Sequence, residues 1–189
     1  MPQALLIDNG SSYIKNLQLL LQEAGLGSVI IDYENLNESF VHEADLTVLS
    51  GGHKYTIANH ADYYSRELEL IRTANKPIIG ICLGFELVAV AFESVLRYLP
   101  MKDKGLREIQ VSLPDSIFDR QNFTVYESHQ FAVPSVPSPL VALATSAHGA
   151  EIIKHESKPM YGFQFHPEVL EDKQLGDELF IRVIKKLLP

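Results

Sequence analysis

The one cysteine of this chain lies in Gly80-Ile81-Cys82-Leu83-Gly84. Before it, Pro77-Ile78-Ile79 makes a short apolar run of the kind that fills a buried parallel strand, and after it Leu87, Val88, Ala91 and Phe92 return at helical spacing. The spacing predicts a thiol on a sharp strand-to-helix turn, with helix from Phe85 onward. G-x-C-x-G is the sulfur counterpart of the nucleophile elbow, in which residues two away on either side lack a side chain because a Cβ there would collide. Such a turn lifts the sulfur out of the sheet. It also aims the Leu83 N–H and the helix N-terminus at the same point, which favours a thiolate and offers a cradle for an oxyanion. A solitary cysteine between Ile81 and Leu83 fits a buried apolar filler equally well, so its chemistry depends on partners elsewhere.

Those partners are sought in Tyr161-Gly162-Phe163-Gln164-Phe165-His166-Pro167-Glu168. Large apolar residues alternate over a strand from Tyr161 to Phe165, and Pro167 ends the ladder, so His166 projects at a strand end. Glu168 is close enough in sequence to hold one ring nitrogen while the other faces elsewhere. That is how the third member of a catalytic triad fixes a tautomer and stabilises imidazolium. A strand-end histidine also serves purely structural roles. Four others, His42, His60, His148 and His155, stand among polar residues and read as solvated. No His/Cys/Asp/Glu spacing matches a zinc or iron site, so no metal is expected.

The elements that must carry these residues follow an alternating pattern. Ala4–Ile7 is an apolar strand that empties into Asp8-Asn9-Gly10-Ser11-Ser12; a helix follows with Ile14, Leu17, Leu20, Leu21 and Ala24 on one face and Gly25 just past its end. Val29–Ile31 and Leu46–Leu49 read as strands, the latter ending in Ser50-Gly51-Gly52-His53, and Asp62–Thr73 as a helix carrying Leu68 and Ile71. Strands alternating with helices predict a parallel sheet covered on both faces, with ligands beyond the carboxyl ends of its strands. The loops at Asp8, Ser50 and Cys82 would then lie side by side. Gly51-Gly52 fits a tight turn, and beside a nucleophile it also allows close backbone approach, making Gly52 a second oxyanion donor. Beyond residue 107 the pattern changes to short strands, Glu108–Leu113, Phe123–Tyr126, Leu140–Ala144, Glu151–Lys154 and Tyr161–Phe165, spaced as an antiparallel meander. An amphipathic helix from about Asp177 closes the chain. The fold class expected is α/β: a mostly parallel central sheet with helices on both faces and an antiparallel second half.

Bulk properties narrow the function. The 189 residues, 46% hydrophobic, suit one domain spanning 1–189. A net charge of −8 with scattered basic residues argues against nucleic acid or anionic membrane as a partner. One cysteine forms no internal disulfide, and neither a signal pattern nor an apolar run of about 18 residues is present, so a cytoplasmic location is expected. The Pro/Ser cluster from Val133 to Pro139 reads as a surface loop within the domain.

Taken together, Ser50-Gly51-Gly52, Gly80-Ile81-Cys82-Leu83-Gly84 and Gly162-Phe163-Gln164-Phe165-His166-Pro167-Glu168 resemble the class I (triad) glutamine amidotransferases, in order and over nearly the whole chain. Ile7-Asp8-Asn9-Gly10 and Tyr126-Glu127-Ser128-His129 most resemble the separate glutaminase subunit of GMP synthase. The resemblance implies a flavodoxin-like amidotransferase fold, Cys82, His166 and Glu168 as catalytic residues, and an oxyanion hole from Gly52 and Leu83. It further implies substrate contacts at Gly51, Glu86, Ser128 and His129, glutamine as substrate, and ammonia passed to an ATP-dependent synthetase partner that aminates XMP. No P-loop is present in this chain, so ATP and Mg would belong to that partner and no cofactor to this chain. Where the family usually carries His-Gln after the elbow glycine, this chain has Phe85-Glu86, and His53 replaces the usual Pro. Three alternatives therefore stay open: the glutaminase component of anthranilate or aminodeoxychorismate synthase, a γ-glutamyl hydrolase-like enzyme, and a catalytically silent regulatory protein.

Overall fold

A computed structural model describes residues 1–172 and 174–188. The first half alternates as the apolar runs dictate: β1 (Gln3–Asp8), α1 (Ile14–Glu23), β2 (Gly27–Asp32), α2 (Glu38–Glu43), β3 (Leu46–Leu49), α3 (Ser65–Thr73), β4 (Ile78–Ile81) and α4 (Leu83–Ala91). The second half is β5 (Arg97–Val111), β6 (Asn122–Ala132), β7 (Leu140–Thr145), β8 (Ala150–His155), β9 (Met160–Phe163) and α5 (Gly176–Leu187). All nine strands form one sheet in the order β2-β1-β3-β4-β9-β8-β7-β5-β6. The strands from β2 to β9 in that order pair in parallel, and the remainder, from β9 through β8 and β7 to β5 and β6, in antiparallel fashion.

Each face of the parallel half buries its own layer. One is Leu17, Leu20 and Leu21 of α1 with Leu179, Phe180 and Val183 of α5, packed on Leu6, Val48 and Ile79. The other is Leu68 and Ile71 of α3 with Leu87 and Val88 of α4, packed on Leu5, Leu49 and Ile78. Helix α1 ends as its sequence demands, with Gly25 at φ +87° and the Leu26 N–H bonded back to the Leu21 carbonyl. Among the described residues no helix is long and apolar enough to cross a membrane.

Several boundaries differ from the sequence pattern. Helix α4 begins at Leu83 rather than Phe85, because the turn passes directly into the helix. Strand β9 stops at Phe163, two residues before Phe165. Strand β5 reaches back to Arg97; its N-terminal part alternates poorly, since Tyr98 and Met101 are exposed at the edge. His155, expected in solvent, is buried, its Nδ1 accepting from the Ser157 and Lys158 backbone N–H groups at 3.1 and 3.0 Å with Phe92 edge-on against the ring.

The antiparallel end does not lie flat. Edge strand β6 curls back so that the Tyr126 carbonyl accepts from the His166 N–H at 2.8 Å, the Thr124 carbonyl from the Leu175 N–H at 2.7 Å, and the Val133 carbonyl from the Ala150 N–H at 2.8 Å. Segments remote in strand order thereby become neighbours.

The elbow glycines are fixed by contact. A Cβ on Gly80 would overlap the Gly84 carbonyl, and one on Gly84 would overlap the Leu49 carbonyl of β3. The Gly84→Ala variant is expected to lose about 1–3 kcal/mol of stability, as overpacked sites do. Urea unfolding measures this, and an unchanged midpoint would show that the turn yields freely.

Candidate active site

Pairing of β1, β3 and β4 sets their carboxyl-end loops in a row, as parallel α/β sheets require of a site. At the end of β4, Cys82 adopts φ 49°, ψ −101°, left-handed backbone that a side-chain-bearing residue rarely takes. Its N–H donates to the Phe163 carbonyl at 2.8 Å and its carbonyl accepts the Glu86 N–H at 2.9 Å, so strand and helix grip the turn from both sides. Leu83 is the first helical residue, where an N–H has no acceptor within the helix.

Strand β9 lies beside β4 with Phe163 opposite Ile81, and His166 follows three residues on. A Cβ built on Gly51 would lie 3.1 Å from His166 Cε1 and 3.6 Å from Cys82 Cβ, so the ring and the thiol stand against the same glycine. His166 Nδ1 donates to Glu168 Oε1 at 2.8 Å in a buried pair. Tyr13 packs edge-on to the imidazole, centroids 5.7 Å apart, and the Asn16 side-chain amide holds the Glu168 carbonyl at 3.2 Å. The chain segments that sequence separates by 84 positions thus meet: thiol, imidazole and carboxylate are contiguous and only about 5% exposed at Cys82 and His166.

Electrostatics follow from that burial. Desolvation pushes the Cys82 thiol up, partly offset by the charge of and hydrogen bonding to His166. Burial works against the charged form of His166 as well, yet the negative charge of Cys82 and Glu168 and their hydrogen bonds hold it well above the ordinary histidine value. The thiol and imidazole therefore titrate as a unit, and a proton placed between them is stabilised by Glu168.

The loop opposite the thiol is held by a polar network. The Asn9 N–H donates to Ser50 Oγ at 2.9 Å, Ser50 Oγ donates to the Gly51 carbonyl at 2.8 Å, and the Asn9 amide donates to Glu67 Oε1 at 3.0 Å. Gly52 is wedged against the Asn9 carbonyl, and a Cβ there would also sit 2.8 Å from Leu83 Cδ2. Gly52 and Leu83, the two oxyanion candidates, are therefore adjacent. Glu67 of α3, fully buried and pushed up to about 8 by desolvation, anchors this network; its place in a polar helical stretch gave no sign of it.

Phe85, the first departure from the usual pattern after the elbow, is fully buried and packs on Gly162 of β9, so it serves the core. Glu86 is buried beside Gln164 and Cys82, and desolvation pushes its carboxyl up to about 8. Burial thus favours its neutral form at pH 7, in which it can both donate and accept a hydrogen bond. Ser128 is half-buried, whereas the His129 side chain turns inward, its Nδ1 donating to the Phe131 carbonyl at 2.6 Å. A groove of about 780 Å³ between α2 and α3 lies away from the thiol.

A buried thiol, an imidazole held by a carboxylate, and backbone N–H groups beside the sulfur can together perform nucleophilic acyl transfer. Comparison with known proteins agrees with that chemistry. The family described as Glutamine amidotransferase class-I matches residues 5–186. The chain is 32% identical to the A subunit of the glutamine-hydrolyzing GMP synthase of Pyrococcus abyssi over 185 residues, 93% of this chain and 94% of that one. It is 29% identical to the protein of the same name from Methanocaldococcus jannaschii over 180 residues, covering 93% and 92%. A crystal structure from Thermoplasma acidophilum, described as the A subunit of a GMP synthase, superposes with a TM-score of 0.86 at 27% identity, over 98% of this chain and 93% of that one. The chain belongs to the class-I glutamine amidotransferases.

Proposed function

We propose that this protein hydrolyses glutamine to glutamate and ammonia at Cys82 and supplies the ammonia to a separate ATP-dependent synthetase, the amination of XMP to GMP being the acceptor reaction. The observation that carries the reading is His166 standing between the Cys82 thiol and the Glu168 carboxylate, with its Nδ1 bonded to Glu168 at 2.8 Å. The thiol proton passes to His166 Nε2 as sulfur attacks the side-chain amide carbon, and the tetrahedral oxyanion rests on the Gly52 and Leu83 N–H groups. Collapse breaks the C–N bond. His166 returns the proton to nitrogen, and ammonia leaves a γ-glutamyl thioester. Water then attacks the thioester with His166 as base, and glutamate departs as the thiol is restored. Gly51, Glu86, Ser128 and the backbone at His129 hold the α-amino and α-carboxyl groups of glutamine in this reading. ATP, Mg and XMP belong to the partner.

Cys82→Ala and His166→Ala are each expected to lower glutamine-dependent ammonia release at least about a thousandfold, as loss of members of an acting unit does. Glu168→Gln is expected to cost about a hundredfold or more through loss of the tautomer and of imidazolium stabilisation. An assay coupled to glutamate dehydrogenase measures both, and undiminished release from the Cys82 variant would end the proposal. The acceptor is tested separately by adding the synthetase component of a GMP synthase with ATP, Mg and XMP: glutamine should replace free ammonia as nitrogen source only when this chain is present.

Glu86 sets a pH limit. Its carboxyl is neutral below about 8 and charged above, and the new negative charge beside Cys82 disfavours the thiolate. The alkaline fall of kcat/KM for glutamine is expected to begin near pH 8 and to move to higher pH in Glu86→Gln. Superimposable profiles would show that Glu86 does not communicate with the sulfur.

A further inference from the structure

Behind the active site, the curled edge of the sheet brings together three buried side chains that the glutaminase chemistry does not use. Glu127 and His129 project from one face of β6, and Glu151 from β8, strands separated in the sheet order by β5 and β7. One donor atom from each lies within 4.8 Å of the other two, and all three residues are at least 97% buried. Glu127 and Glu151 face each other closely enough to share a proton. Both Glu127 oxygens, Glu151 Oε2 and His129 Nε2 have no hydrogen-bond partner among the described residues. The nearby acid Asp103 is already paired with Arg107 at 2.7 Å and His148 at 3.5 Å.

The histidine supplies the independent sign of what belongs there. Its Nδ1 lies 2.6 Å from the Phe131 carbonyl, which can only accept, so Nδ1 carries a hydrogen. In the neutral ring Nε2 is then a bare lone pair, and it faces Glu127 Oε2 at 3.3 Å with no hydrogen bond formed between them. A backbone carbonyl holding the far nitrogen while the near one points into a carboxylate cluster is how metal-ligating histidines are oriented. Two donors bound to one zinc at about 2.0–2.1 Å in tetrahedral geometry stand about 3.4 Å apart. The His129–Glu127 separation already matches that edge. The Ser146 hydroxyl, donating to Glu151 Oε1 at 2.6 Å, fixes the third carboxylate and leaves its other oxygen facing inward.

We propose that Glu127, His129 and Glu151 form a divalent-cation site, of the first-row transition-metal class, zinc included, that an imidazole with two carboxylates accommodates. A dication offsets the charge of two carboxylates that the dry interior otherwise keeps only as neutral acids. It also clamps β6 to β8. Strand β6 holds the His166 backbone through the Tyr126 carbonyl, so the ion stiffens the seam from which the imidazole projects. The ligand spacing is invisible in sequence because curling of the sheet, not a short motif, assembles it.

The test uses full-length protein stripped with EDTA and titrated with ZnCl2 by isothermal calorimetry, with a Cys82→Ser variant in parallel because a thiol beside a histidine also takes zinc. One zinc per chain should bind equally in wild type and Cys82→Ser, and Glu151→Gln and His129→Gln should each weaken it at least about tenfold. Absence of binding, binding lost with Cys82→Ser, or binding indifferent to Glu151→Gln would each overturn the proposal. If the two variants do not fold, zinc-edge anomalous diffraction from ZnCl2-soaked Cys82→Ser crystals decides. A peak between the three side chains supports the site, and its absence means that the cluster holds only protons or water.

Discussion

The left-handed backbone at Cys82 is the constraint on which the site rests. Holding a side-chain-bearing residue there costs about 1–3 kcal/mol and persists only where surroundings over-determine it. They do so here by interlock: Gly80 lies flat against Gly84, Gly84 against the Leu49 carbonyl of β3, and the Cys82 N–H on the Phe163 carbonyl of β9. Relaxing the turn would separate β3, β4 and β9 at once. The same contacts that force the strain therefore set the relative positions of the glycine loop, the thiol and the strand that leads to His166.

Burial then decides the charges. The site is too dry to tolerate an isolated ion, so the stable arrangements are paired or neutral ones. The charged form of His166 is held against burial by Glu168 and the sulfur, and the thiol, which burial pushes up, gives its proton only because His166 stands ready to take it. Among the described residues Glu86 and Glu67 have no cationic partner to compensate them and are accordingly pushed up to about 8, where they act as neutral hydrogen-bonding groups. A carboxylate written into the sequence beside a nucleophile looks like an obstacle to thiolate formation. In the folded chain its own desolvation removes most of that obstacle at neutral pH.

What the sequence conveys, and what it withholds, divides along the range of the interactions. The elbow is legible because its requirements are local: a nucleophile, two missing Cβ atoms, an apolar run before and a helical period after. His166 and Glu168 are legible because a proline separates them just after an alternating apolar run, although the strand itself stops at Phe163. Glu67, Glu127 and Glu151 are not, since a glutamate on a helix or strand normally marks a solvated face, and only the tertiary arrangement shows that α3 turns Glu67 inward and that β6 curls over β8. Phe85 misleads for the opposite reason: its neighbourhood to the nucleophile suggests a role in the site, while its ring fills the gap left by Gly162. His155 reads as a surface residue from its polar sequence neighbours, but its nitrogen satisfies two backbone N–H groups of the next turn.

The antiparallel insertion between α4 and β9 has a physical task beyond spacing. Strand β9 needs only β4 beside it to bring Phe163 opposite Ile81, but His166 lies past the end of that pairing, where a strand terminus would fray. The insertion supplies the missing partner: β6 returns across the sheet, and its Tyr126 carbonyl takes the His166 N–H while the Thr124 carbonyl takes that of Leu175 just before α5. Pro167 cannot donate, so the bond at His166 is the last backbone N–H bond before Glu168, and the Pro167 carbonyl is held separately by the Gln174 side-chain amide at 3.1 Å. The curl of the sheet is thus what converts a loose strand end into a fixed imidazole, and the orphaned carboxylates at the curl lie on the seam that this fixation created.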